Sequence, residues 1–156
     1  MNQPIRVLFV CLGNICRSPM AESYFAWLVG QRGLSDRFSI SSAATHSDAL
    51  GNPPHRGTRE KLSREGISLI PHRARLLTRE DGERYDYILG MDEENVRHMR
   101  RILGECSARV ALLLDFTERP RAIADPWFTG NFDETFSDIR EGCSAFLAYL
   151  EREGRL

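Results

Sequence analysis

A chain of 156 residues with 42% apolar content is too hydrophobic to be disordered and long enough to close around one core. Its 21 basic and 22 acidic residues leave a net charge of −1, so no global field draws in nucleic acid or an anionic membrane. The sole lysine, Lys61, follows Glu60, which excludes the Gly-Lys pair of a nucleotide-binding P-loop.

No apolar run approaches the roughly 20 residues that cross a bilayer. The run Val7–Cys11 is too short for a secretory core of about 7–15 residues and lacks a cleavage site. A cytoplasmic protein is expected. Four cysteines, Cys11, Cys16, Cys106 and Cys143, are too few for a disulfide scaffold of this length. The histidines His46, His55, His72 and His98 are scattered and no CxxC pair occurs, so no metal site is expected.

In chain order, Ile5–Val10 reads as a short, fully buried strand. Ser18 and Pro19 then offer an N-cap and a first helical position. Ala21, Phe25, Leu28 and Val29 mark one apolar helical face that ends at Gly30 and Gly33. Phe38–Ala43 reads as a second strand, Gly51-Asn52-Pro53-Pro54 as a rigid turn, and Thr58 to Glu65 as a helix stopped at Gly66. Tyr85–Leu89 is a third strand. Asp92 caps the helix after it, with Glu93 and Glu94 in the first turn, where the helix dipole favours acids. Val110–Leu114 is a fourth strand. The last helix carries Phe136, Ile139, Cys143, Phe146, Leu147 and Leu150 on one face; Cys143 belongs to that stripe and Cys106 to a polar turn, both as packing residues. Strands alternating with amphipathic helices predict a small doubly wound, Rossmann-like α/β domain over residues 1–156, a four-stranded parallel sheet with helices on both faces.

Ligands of such sheets bind beyond the carboxyl ends of the strands. There the segment Cys11-Leu12-Gly13-Asn14-Ile15-Cys16-Arg17-Ser18 leaves the first strand and enters a helix N-terminus. Inward-turned N–H groups would form an anion nest reinforced by the helix dipole. Gly13 and Asn14 tolerate the left-handed backbone of such a turn. A cysteine at its mouth is expected to be mostly thiolate, since helix N-termini and cations bring a thiol from about 8.5 to roughly 3.5–7.5. Ser18 is placed to donate to Cys11, and Arg17 presents a planar fork to two phosphate oxygens. Breaking a phosphate ester also needs an acid for the leaving oxygen. Asp125, about eleven residues past the fourth strand, would reach the same edge in a parallel sheet. Pro126 confines Asp125 to extended backbone, and Trp127 walls a pocket for an aromatic ring.

The run Val10–Glu22 with Asp125-Pro126, Ser41–Thr45, Gly51–Pro54, His72–Arg75 and Met91-Asp92 resembles the low-molecular-weight protein tyrosine phosphatases over nearly the whole chain. The resemblance implies a cofactor-free and metal-free hydrolysis of phosphotyrosine and other aryl phosphates. Cys11 would be the nucleophile and Asp125 the acid and then the base. Arg17 and the loop Leu12–Ser18 would hold phosphate. Asn14, Ser18, Ser42 and His72 would support the loop, and Leu12, Asp48, Trp127 and Phe128 would wall the pocket. Cys16 matches a second cysteine that can pair with the nucleophile on oxidation, since a thiol near a sulfenic acid rescues it as a disulfide. The implied partners are phosphotyrosine-containing proteins, with inorganic phosphate as product and the enzyme a monomer. Two positions depart from the pattern. Asp48 stands where relatives are commonly aromatic, making an acidic rim, and Trp127-Phe128 replace the tyrosines often found after Asp-Pro. A protein arginine phosphatase and an arsenate reductase share this architecture and remain alternatives. Ile15 should crowd a guanidinium, and Cys106 and Cys143 form no relay pair. A phosphate-binding module without catalysis would need neither Cys11 nor Asp125.

Overall fold

In the computed structural model, which describes residues 3–156, the chain begins with strand β1 (Ile5–Cys11) and continues through helix α1 (Arg17–Gln31) and strand β2 (Phe38–Ala44). Helices α2 (Arg56–Arg64) and α3 (Asp81–Arg84) precede strand β3 (Tyr87–Gly90) and helix α4 (Glu93–Leu103). Strand β4 (Arg109–Leu112), the one-turn helix α5 (Pro126–Thr129) and helix α6 (Phe132–Arg152) complete it. The four strands lie in the order β2-β1-β3-β4, and each neighbouring pair is parallel. This is the expected α/β sheet with helices on both faces.

The period of two along β1 divides its side chains between two cores. Val7 and Phe9 join the larger cluster, which includes Phe25 of α1, Leu62 of α2 and Phe146 of α6. Leu8 and Val10 face the opposite side with Ile88, Met99 and Leu103. A strand buried on both faces carries a nearly unbroken apolar run, as Ile5–Cys11 does. All six residues of the last helix's apolar stripe are buried.

Boundaries shift where local hydrogen bonds compete with the ladder. Tyr85 donates its N–H to Asp81 O and closes α3, so β3 starts at Tyr87. Asp115 accepts from Leu112 N at 3.0 Å and turns Leu113–Phe116 into a 3-10 helix, ending β4 early. The α2 helix begins two residues before Thr58 because His55 Nδ1 accepts the Gly57 N–H and caps it. Asp92 caps α4 as expected, in a reciprocal capping box with Asn95. In this strand order the chain leaves β1 toward β2 on one side and later returns to β3 on the other. The crevice lies at such a reversal, at the carboxyl ends of β1 and β3.

Candidate active site

Five residues separate the strand end at Cys11 from the helix start at Arg17, and one of them takes the unusual backbone. Asn14 has φ 59, whereas Gly13 does not enter the left-handed region. Of the two residues expected to tolerate that backbone, Asn14 alone adopts it, pinned through its side chain. Its Nδ2 donates to Ser18 Oγ at 2.7 Å and Ser42 Oγ at 3.0 Å. Its Oδ1 accepts from His72 Nε2 at 2.6 Å and Arg75 N at 3.1 Å. Both amide hydrogens and both carbonyl lone pairs are thereby used.

The expected place of Ser18 is corrected. The helix begins at Arg17 with Cys16 in the capping position, so Ser18 lies inside the first turn and its hydroxyl is turned inward. Because Ser18 Oγ accepts from Asn14, its own hydrogen is free to point at Cys11 Sγ, 3.0 Å away. The Ser18 N–H approaches the same sulfur at 3.4 Å. Both are donors that a sulfur anion can accept from. Among the described residues, the backbone N–H groups of Gly13, Asn14, Ile15 and Cys16 donate to no protein acceptor. Unpaired N–H groups in a tight turn before a helix constitute an anion nest.

Arg17 is 2% exposed, and its guanidinium is held from one side. Nη1 donates to Asp92 Oδ2 at 2.7 Å and Ile123 O at 2.8 Å, and Nη2 to Asp125 Oδ2 at 3.4 Å. Nε is buried without a protein partner among the described residues. A buried guanidinium N–H left unpaired is costly unless an anion meets it. Asp125 has the extended backbone that Pro126 imposes (φ −81, ψ 114). Its Oδ1 accepts from Trp127 N at 3.0 Å, which leaves Oδ2 directed toward Arg17.

Cys11, Asp125 and the loop open into one cavity of about 580 Å³. Leu12, Gly13, Ile15, Cys16, Asp48, Trp127 and Phe128 line it. All four residues expected as pocket wall are therefore brought together. Trp127 and Phe128 are 60% and 77% exposed, forming an open apolar lip. Cys16 shares the cavity, and burial together with the nearby Cys11 pushes its thiol up to about 12. Full burial pushes Cys143 up as well, in line with its place in the core.

Ser42 and His72 both hydrogen-bond Asn14, and a third residue stands behind them. Glu22 accepts from Ser42 Oγ and lies 3.6 Å from His72 Nδ1. Burial pushes Glu22 up and His72 down, and both shifts favour the neutral form. Three residues of the site escape sequence reasoning. Glu22 looks like any helical acid, because only burial distinguishes it. Asp92, expected as a helix cap, also grips Arg17; its position just past β3, at the same edge as Cys11, is a signal that could have found it. His55 lines the cavity and donates its N–H to Ile15 O at 2.7 Å, with no signal beyond the Pro-Pro turn before it. Asp115 caps the turn after β4 and does not line the cavity.

Among the described residues no group of three or more histidine, cysteine or acidic side chains is arranged to hold a metal ion, and no helix is long and apolar enough to cross a membrane.

A family profile described as low molecular weight phosphotyrosine protein phosphatase matches residues 6–156. The chain is 43% identical over 155 residues to the low molecular weight protein-tyrosine-phosphatase YfkJ of Bacillus subtilis, covering 97% of this chain and 99% of that one. The crystal structure of YfkJ superposes with a TM-score of 0.93 at 42% identity, over 97% and 98% of the two chains. The low molecular weight phosphotyrosine protein phosphatase of Rattus norvegicus is 41% identical over 147 residues, 90% of this chain and 92% of its own. A Drosophila arginine phosphatase superposes with a TM-score of 0.85 at 32% identity, over 93% and 97% of the chains.

Proposed function

Because the chain belongs to the low molecular weight phosphotyrosine protein phosphatase family and is a protein-tyrosine phosphatase, we propose that Cys11, Arg17 and Asp125 carry its reaction on phosphotyrosine-bearing proteins. Cys11 Sγ, as thiolate, attacks phosphorus in line. The S–P bond forms as the bond from phosphorus to the tyrosyl oxygen breaks, and that oxygen takes the proton of Asp125. The Asp125 carboxylate then removes a proton from water, whose oxygen attacks the phosphocysteine. The S–P bond breaks, releasing inorganic phosphate and restoring the thiolate. Throughout, the loop N–H groups and the free Nε of Arg17 hold the three equatorial oxygens, the positioning and charge stabilisation on which phosphoryl transfer depends.

The observation that carries this reading is the convergence of the Ser18-supported Cys11, the unpaired loop amides and Asp125 on one cavity. Ile15 on the cavity wall favours a flat ring over a branched guanidinium. Steady-state hydrolysis of phosphotyrosine and phosphoarginine tests the assignment. Cys11→Ser is expected to abolish turnover, and Asp125→Ala to lose roughly 10²–10⁴-fold on phosphotyrosine, the usual share of general acid catalysis. Phosphoarginine turning over faster than phosphotyrosine, or an Asp125→Ala enzyme of full activity, would refute it.

A further inference from the structure

We propose that His55 is a positioning residue for Asp125, acting through the ring of Trp127 to hold the acid's loop in register with the phosphate-binding loop. The inference rests on Asp125 being the general acid.

The acid's loop is anchored firmly on one side of Asp125 and weakly on the other. Before it, Ile123 N donates to Met91 O at 2.8 Å, and Ala124 O accepts from Thr135 Oγ1 at 3.1 Å. After it comes the single turn of α5, whose hydrogen bonds to Asp125 are local: Trp127 N to its carboxylate and Phe128 N to its carbonyl. Trp127 and Phe128 are largely exposed. Among the described residues, the one ring that meets Trp127 is His55, edge to face at 5.6 Å and 85°.

His55, by contrast, is anchored through its backbone, its Nδ1 and its ring face. Its N–H donates to Ile15 O of the phosphate loop at 2.7 Å. Its Nδ1 accepts from Gly57 N at 2.9 Å, which puts the imidazole proton on Nε2. Its ring stacks on Phe132 at 5.3 Å and 21°. Gly57 makes that stack feasible, since any Cβ there would overlap the Phe132 ring. His55 therefore joins the phosphate loop, the start of α2 and the start of α6, and presents a rigid ring to Trp127. Because Trp127 N is bonded to the Asp125 carboxylate, displacement of the tryptophan moves the acid. A small displacement of a reacting group is enough to cost catalysis.

A merely structural role and a positioning role separate by leaving group. His55→Asn keeps an acceptor for the Gly57 N–H and deletes the ring. His55→Phe keeps the ring and deletes the acceptor. The quantity compared is kcat/KM, which reports the steps through ester cleavage. With phosphotyrosine, whose oxygen needs the proton, His55→Asn is expected to lose about tenfold, part of the acid's full share. With p-nitrophenyl phosphate, whose oxygen leaves readily without a proton, the loss stays within about twofold. His55→Phe is expected to keep most of its phosphotyrosine activity while melting at a lower temperature. His55→Gln replaces His55→Asn if the latter does not fold. Equal losses on both substrates, no loss on either, or His55→Phe as impaired as His55→Asn would overturn the proposal. If Asp125→Ala itself fails to discriminate between the two esters, the acid assignment falls; if it discriminates and His55→Asn does not, only the role of His55 falls.

Discussion

Asn14 shows how much of the site hangs on one side chain. A residue with a Cβ in the left-handed region costs about 1–2 kcal/mol, less for asparagine than for most. Asn14→Ala also strands the buried donors of His72 and Arg75, each at about 1–3 kcal/mol. Urea unfolding should show a loss of about 3 kcal/mol or more, with activity falling alongside. Asn14→Gly, which relieves the backbone but not the lost bonds, should recover about 1 kcal/mol of it; equal stability of the two variants would show that the backbone is not strained. Cys16 supplies a second prediction. With its thiol held up to about 12 by burial and Cys11, Cys16 stays protonated while peroxide converts the Cys11 thiolate to a sulfenic acid. Condensation of that acid with the Cys16 thiol releases water and forms a disulfide. Peroxide inactivation reversible by a dithiol is expected for the wild type, and irreversible over-oxidation for Cys16→Ser. Mass spectra of the oxidised wild type without a Cys11–Cys16 bond would refute it. At this scale the sequence is most readable where chemistry demands a residue type. Cys11, Arg17 and Asp125 stand out for that reason, whereas Glu22 and His55 act through burial and contacts that no local pattern encodes.

Among the elements, those with a period were legible and those held by one or two hydrogen bonds were not. The α6 stripe repeats over several turns, so its buried face follows from spacing alone. The single turns α3 and α5 are too short for any repeat, and β3 and β4 lose residues to turns that Asp81 and Asp115 organise. Close packing of α6 yields a prediction in which two effects oppose each other. Alanine in place of Gly142 should favour the helix by about 1 kcal/mol. Its Cβ would stand 2.6 Å from Leu113 Cγ and 3.0 Å from Leu114 Cδ2, and overpacking of this kind costs about 1–3 kcal/mol. Clash with a buried branch point should win, so Gly142→Ala should melt lower than the wild type. A higher melting point would mean that α6 can draw back from the 3-10 turn at no cost.

For the molecule as a whole, acid stability reports on the polar cluster behind the loop. Burial, assisted by Arg75, pushes His72 below its ordinary value of 6.5. Just below that pH the unfolded chain binds a proton that the folded chain does not. Stability therefore rises with pH through this window and falls as the solution is acidified. Glu22 has the opposite sign: its raised carboxyl contributes stability at low pH that is lost as pH increases. His72→Gln keeps a donor for Asn14 and removes the titration. Between pH 7 and pH 5 its melting temperature should fall less steeply than that of the wild type, and parallel curves would exclude His72 as the cause.

The architecture was legible at this scale because alternating strands and helices admit few topologies, and the order β2-β1-β3-β4 then brings Cys11, Asp92 and Asp125 to one edge. What that edge does is tested most directly by trapping the covalent intermediate. Asp125→Ala mixed with p-nitrophenyl phosphate can complete the first step, whose leaving group needs no acid, but lacks the base for the second. Acid quench and peptide mass spectrometry should then find one phosphoryl group on Cys11. A phosphoryl group on any other residue, or p-nitrophenolate released while Cys11 stays unmodified at every quench time, would contradict the account.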